Sequence, residues 1–259
     1  MASSTDAKRK FEYTVGIPQT ILYVLLLVCA FLIGSLTTRV RYLEAIGRPI
    51  AGSTDESQVA PTQGQAAAPA QTAQDLPKIT ADDHVRGDRN APIALVEYTD
   101  LECPFCKSFH PTTKQIVDEY KGKVMLVFRH FPLAFHANAQ KEAEAAECAS
   151  ELGGNDAFWK YVDAIFDRTT SNGRGFSLDA LVPLAGEIGL SQAKFQECLD
   201  SGKYTKKIQD EENAGAQAGV TGTPGNIILN VKTGETKLIP GALPFESFKT
   251  VIDEMLAAS

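Results

Sequence analysis

The chain has 259 residues, 44% of them hydrophobic and 22% charged, with a formal net charge of −7. That length fits one large domain, or one domain with accessory segments. The acidic balance argues against nucleic acid as a partner, because such binding depends on Lys and Arg neutralising phosphates.

Residues 1–12 form a short polar tail with a compact basic cluster, Lys8-Arg9-Lys10. Residues 13–38 then run without a single charge around the apolar centre ILYVLLLVCAFLIGSL. About 20 residues at 1.5 Å each cross a ~30 Å hydrocarbon core, so this segment is expected to be a transmembrane anchor. The alternative is a cleaved signal peptide. Against it, the apolar run exceeds the usual ~7–15 residues and no A-x-A site follows closely. Basic residues flank both ends, with Arg39, Arg41 and Arg48 on the far side. The short tail and its compact cluster favour a cytoplasmic N-terminus. Cys29 lies within this segment and is given no chemistry. Residues 39–78 are read as a juxtamembrane stretch and linker. From Gly52 to Pro77 it is built from Ala, Gln, Pro, Thr, Ser and Gly. Such a stretch cannot bury enough surface to offset chain entropy and is expected to be disordered. Its ends would lie on the order of 30 Å apart, as a tether.

Residues 79–259 carry the patterns of a folded domain. IALVEYT, from Ile93 to Thr99, predicts a strand. A helix opens at CPFC and runs to about Tyr120, and Val124 to Phe128 is a second strand. From about 138 to 213 the pattern is helical, with Asn155, Ser177 and Ser191 placed as N-caps. Pro183 predicts a kink or a late helix start. Two short strands follow, Asn226–Leu229 and Thr236–Ile239, across a Thr-Gly turn, and a last helix spans about Pro244 to Leu256. The order βαβ, helical block, ββα predicts a small mixed α/β sheet with a helical insertion.

The stretch LECPFC, Leu101 to Cys106, has three readings. A zinc clip needs two further ligands. There is no second C-x-x-C, and His84, His110, His130 and His136 are scattered, so no metal site is expected. A structural staple closing so small a loop would stabilise little. The redox reading fits the neighbours. Cys103 follows a strand and opens a helix, with Pro104 at the first helical position, where a missing N–H costs nothing. The helix dipole and first-turn amides then favour a thiolate at Cys103. Cys106, one turn on, is within reach as its partner.

In DHVRGDRNAPIALVEYTDLECPFC, FRHFPL, EAAECA and GVTGTPGNIIL, in that order and across most of Asp82 to Glu254, the chain resembles the DsbA-type thioredoxin-fold disulfide oxidoreductases. The resemblance implies a thioredoxin fold interrupted by the helical insertion. It implies that Cys103 exchanges with substrate and that Cys106 is its partner. Thr223-Pro224 would be a cis peptide opposite the cysteines, with Thr223 tuning redox behaviour. Glu97 would be the buried acid behind the dithiol, a proton relay with a raised pKa. Bottom-up, a lone strand Glu more often faces solvent, and its spacing from Cys103 favours the buried reading. Gly225-Asn226 departs from the aromatic or β-branched residues many relatives carry after the proline. That leaves the shape of the substrate groove open.

Cys148 and Cys198 read either as two buried free thiols or as a second bridge. In an oxidising compartment, with CPFC self-paired, an even set of four favours the bridge. His110 is read as a packing residue, and His130 and His136 as orienting the FPLAF loop. Phe158 and Trp159 are read as insertion core, and Phe105, with Pro104, as a contact for unfolded substrates. The expected function is a membrane-tethered oxidase, single-pass, with its domain in the periplasm or extracellular space. It would introduce disulfides into cysteine-containing exported proteins, need no cofactor, and be reoxidised by a membrane quinone-linked protein. A reductase or isomerase using the same site is the alternative, and a tethered binding module a third. A monomer is expected.

Overall fold

A computed structural model describes residues 72–258. The expected tail, the anchor at 13–38 and most of the linker lie outside the described residues. Among the described residues, no helix is long and apolar enough to cross a membrane.

Five strands form one sheet: β1 (His84–Arg86), β2 (Ile93–Thr99), β3 (Val124–His130), β4 (Gly225–Asn230) and β5 (Thr236–Pro240). Their spatial order is β1-β3-β2-β4-β5. The β2–β3 pair is parallel and the others are antiparallel. A parallel neighbour requires a crossover, which here is helix α1 (Pro104–Glu119). β1 was not expected. Three residues, HVR, are too short to give a period-two signal.

Every residue of the central strand β2 is buried. Side chains alternate between faces. Ile93 and Leu95 join the larger core, built with Phe109 and Ile116 of α1 and with Phe248 and Ile252 of the last helix. Ala94, Val96 and Tyr98 join a smaller core on the other face, with Val220 and Ala73. Ala73 lies inside the segment assigned to the linker. Residues 72–78 are in fact held by the domain. The Ala73 carbonyl accepts the Thr236 hydroxyl at 2.9 Å, and those of Pro77 and Lys78 accept the Arg129 guanidinium at 3.1 and 3.3 Å.

The helical insertion comprises α2 (Ala139–Arg168), α3 (Leu181–Glu187), α4 (Gln192–Ser201) and α5 (Thr205–Gln217), four residues longer than expected at its end. Gly154, at φ 72° and ψ −167°, breaks α2 into two arms. Asn155, just after the break, was expected to cap the second arm. Its side chain instead grips β1: Oδ1 accepts the Val85 N–H at 3.0 Å and Nδ2 donates to the Val85 carbonyl at 2.8 Å. Ser177 precedes a 3₁₀ turn at Leu178–Ala180 and makes no side-chain cap. The α-helix starts late, at Leu181, which leaves Pro183 in its first turn. Ser191 caps α4, accepting from the Lys194 N–H at 3.5 Å. Cys148 in α2 and Cys198 in α4 are bonded, S–S 2.01 Å, across 50 residues. The last helix, α6, is Phe245–Ala257.

Candidate active site

Cys103 stands at the N-cap of α1 in extended backbone, φ −77° and ψ 123°, with Pro104 behind it as the first helical residue. Both thiols are free and both are buried. The Cys106 thiol donates to Cys103. Against burial, that bond, Thr223 and the amides of Cys106 and Phe105 hold the Cys103 pKa down to about 6. Burial pushes Cys106 the other way, well above an ordinary thiol, helped by the neighbouring Cys103 and Glu97 charges. Near neutral pH the pair therefore holds one thiolate, on Cys103, in roughly tenfold excess over its thiol.

Opposite the cysteines, Thr223-Pro224 is a cis peptide. The Thr223 carbonyl lies 3.4 Å from the Cys103 Sγ. Pro224 is buried and begins the run into β4. Gly225 follows because of its neighbour: a Cβ there would stand 2.4 Å from Cγ1 of Val220. Asn226 is fully buried and is the ladder partner of Glu97.

Glu97 is 2% exposed. The β2 alternation places it on the α1 face, between Phe128 of β3 and Asn226 of β4. Burial, chiefly, raises its pKa to about 7. It interacts electrostatically with both Cys103 and Cys106.

Phe105 is 64% exposed, beside buried cysteines. Phe135, at 76%, is the other large exposed aromatic among the described residues, in the loop after β3. The sequence reading passed over Phe135, although the two phenylalanines of FPLAF between histidines were a usable signal.

Two carboxylates at the β2–α1 turn were also missed. Asp100 accepts the amides of Glu102 and Leu133 and the ring N–H of His136, at 2.7, 2.8 and 2.8 Å. Glu102, directly before Cys103, accepts the amides of Gly175 and Phe176 at 2.6 and 2.7 Å and the Thr169 hydroxyl at 3.2 Å. The Glu102 carbonyl also accepts the Asn172 amide at 2.8 Å, and the Lys107 ammonium donates to the Thr169 carbonyl. Together these contacts strap residues 169–176 to the active-site turn. Glu142 of α2 closes the cluster. Burial, with Glu102 beside it, pushes its pKa up to about 10. Neither of its oxygens has a donor nearby. A protonated Glu142 can donate to Glu102, which leaves only its carbonyl oxygen without a partner. Burial alone would raise Glu102, but Glu142 and the amides of Gly175 and Phe176 outweigh it and the pKa falls.

The other histidines are structural. His110 is buried in α1 and bonds Asp163 at 2.7 Å, packed on Phe166. His84 and His130 converge on one oxygen of Glu147, at 2.7 and 3.1 Å, while Lys207 holds the other at 2.7 Å. His84 stacks on Phe158 at 3.6 Å. This joins insertion to sheet. Among the described residues no group of His, Cys, Asp and Glu is arranged to hold a metal.

Residues 80–254 match the family described as Thioredoxin. DsbA2 of Pseudomonas aeruginosa is 32% identical, covers 69% of this chain with 97% of its own, and superposes with a TM-score of 0.60. The α-DsbA1 of Wolbachia pipientis is 25% identical, with 70% and 94% covered and a TM-score of 0.58. Among curated proteins, the chain is similar to the Na(+)/H(+) antiporter NhaA 3 of Salinispora tropica, 36% identical over 143 residues. That match takes in 55% of this chain but only 21% of the antiporter, so the chain spans about a fifth of that relative.

Proposed function

We propose, because the chain belongs to the thioredoxin family as a DsbA-like thiol:disulfide oxidoreductase, that it works as an oxidase, passing its Cys103–Cys106 disulfide to cysteine pairs in exported proteins. The observation that carries the direction is the split between the two thiols, Cys103 held to about 6 and Cys106 pushed far up. A stabilised thiolate is a good leaving group, and a disulfide that releases one is oxidising.

The steps balance as follows. A client thiolate attacks Cys103 Sγ. The client–Cys103 bond forms, the Cys103–Cys106 bond breaks, and the electron pair leaves on Cys106. Glu97 supplies the proton that Cys106 requires. The second client thiolate then attacks the client sulfur of the mixed disulfide and expels Cys103 as a thiolate. The client is oxidised by two electrons and the enzyme holds them as a thiolate and a thiol. A membrane quinone-linked protein takes them on. Thr223 and Pro224 present backbone to the client chain, and Phe105 and Phe135 give unfolded segments an apolar landing. The uncharged stretch at 13–38 would anchor the domain to the cytoplasmic membrane, facing outward. No cofactor enters the scheme.

The deciding experiment equilibrates the protein against a glutathione redox series. A potential near about −120 mV, the DsbA value, fits a disulfide donor, whereas about −270 mV, the thioredoxin value, reverses the electron flow and makes the protein a reductant.

A further inference from the structure

Beneath the dithiol is a buried acceptor with nothing to accept. Asn226 is fully buried. Its Nδ2 donates to the Gly241 carbonyl at 3.0 Å, which fixes which way the amide faces. Its Oδ1 then has no hydrogen-bond partner. An unmet buried acceptor is costly, and such groups are normally paired.

Register identifies the donor. Asn226 of β4 is the direct antiparallel partner of Glu97 on β2. Residues so paired project from the same face, with Cβ atoms about 4.5–5.5 Å apart. The next pair on that face, Leu95 and Ile228, sits in the core under α1. Phe128 of β3 is the neighbour of Glu97 on the other side, and Phe248 and Ile252 of α6 lie in the core that covers this face of the sheet. The charged or titratable groups near it are Cys103 and Cys106 of α1 and, more distantly, Arg86 of β1. Thr99, two residues along β2, lies near enough to act on the carboxyl, but its own hydroxyl has no hydrogen-bond partner. Neither cysteine thiol nor the Thr99 hydroxyl bonds Oδ1, and a carboxylate cannot donate. A protonated Glu97 can.

We propose that Asn226 is the positioning residue for the relay proton: its Oδ1 receives the hydrogen of the Glu97 carboxyl and holds it beneath the dithiol until Cys106 takes it. This rests on the reading of Glu97 as the proton relay. When Cys106 leaves as a thiolate, the proton moves from Glu97 to its sulfur and the O–H···Oδ1 bond is lost. Oδ1 then faces a carboxylate, like against like, which favours return of the proton in the reverse step. The departure from the family pattern at Asn226 thus concerns proton holding.

The test is infrared difference titration of the reduced full-length chain, following the protonated-carboxyl stretch, with Glu97→Gln identifying the band by its loss. In the wild type the band is expected at the frequency of a hydrogen-bonded acid. In Asn226→Leu it should move to that of a free acid, and the Glu97 titration midpoint should fall by about one pH unit, roughly tenfold in its equilibrium. The pH profile of thiol exchange should shift by the same amount, and Asn226→Leu should add nothing in a Glu97→Gln background. Asn226→Ser, too short to reach Glu97, makes the same prediction should the leucine not fold. A wild-type band at the free-acid frequency overturns the proposal. So does a variant that melts earlier with band and midpoint unmoved. A chain that shifts as expected in the infrared but exchanges no thiols refutes the function and leaves the hydrogen bond standing.

Discussion

Replacing Glu142 with glutamine should make the protein's stability less sensitive to alkali. Glu142 is fully buried against Glu102, and its pKa stands near 10. An unfolded glutamate titrates near 4.3. The folded value is raised, so its favourable contribution is complete below the unfolded pKa and is lost as pH rises toward the folded one. Between about pH 6 and pH 8 the folded state holds a proton that the unfolded state lacks, and each unit removes about 1.4 kcal/mol. The two-unit loss is about 2.7 kcal/mol, and it requires only that the folded pKa lie above the upper limit. Wild-type stability alone will not display it. Cys103, lowered to about 6, takes the opposite slope over the same range, and Glu97 titrates within it. The difference between Glu142→Gln and wild type isolates the group, because glutamine keeps a donor toward Glu102 without a titrating proton. Urea unfolding at the two pH values should find the variant gaining about 2.7 kcal/mol on wild type from the lower to the higher. A constant difference would mean that Glu142 is ionised in the fold and that the shared proton is wrong.

Removing the Cys106 thiol in Cys106→Ala takes away the largest influence lowering Cys103. The midpoint of Cys103 alkylation against pH should rise from about 6, and client proteins should be trapped as mixed disulfides; an unchanged midpoint would place the thiolate's support in the helix amides alone. In Cys148→Ala the lost 50-residue loop should cost about 4 kcal/mol in the chain-entropy account, read as a lower melting temperature with exchange nearly intact. Lost exchange at an unchanged melting temperature would contradict that division. Phe105→Ala should raise KM for an unfolded protein client while leaving reaction with a small thiol unaltered, and equal effects on both would remove Phe105 from client binding.

The parts legible in the sequence are those with local signals. β2 announces itself by β-formers between turns, and CPFC by proline after a strand. The depth of Glu97 came from its spacing and the resemblance, since a single carboxylate in a strand does not say which face is covered. Glu102 was missed because its donors, Gly175 and Phe176, come from more than 70 residues away. A carboxylate in a turn looks solvated until the covering loop is placed. The same holds for residues 72–78, whose composition is that of a linker but whose carbonyls are claimed by Arg129 and Thr236. Asn155 had the residue type and position of a cap, and lost that role to a tertiary partner.

That partner is an outer strand of the sheet. Both main-chain groups of Val85 that face away from β3 are occupied by one amide side chain. An outer strand with free N–H and C=O groups is a template for any extended peptide. A protein whose proposed clients arrive unfolded would offer such a template to each of them. Asn155 acts as a one-residue imitation of a neighbouring strand, and leaves Val85 no free main-chain group to offer an extended chain. Asn155→Ala should therefore be read in turbidity with an unfolded client before it is read in turnover.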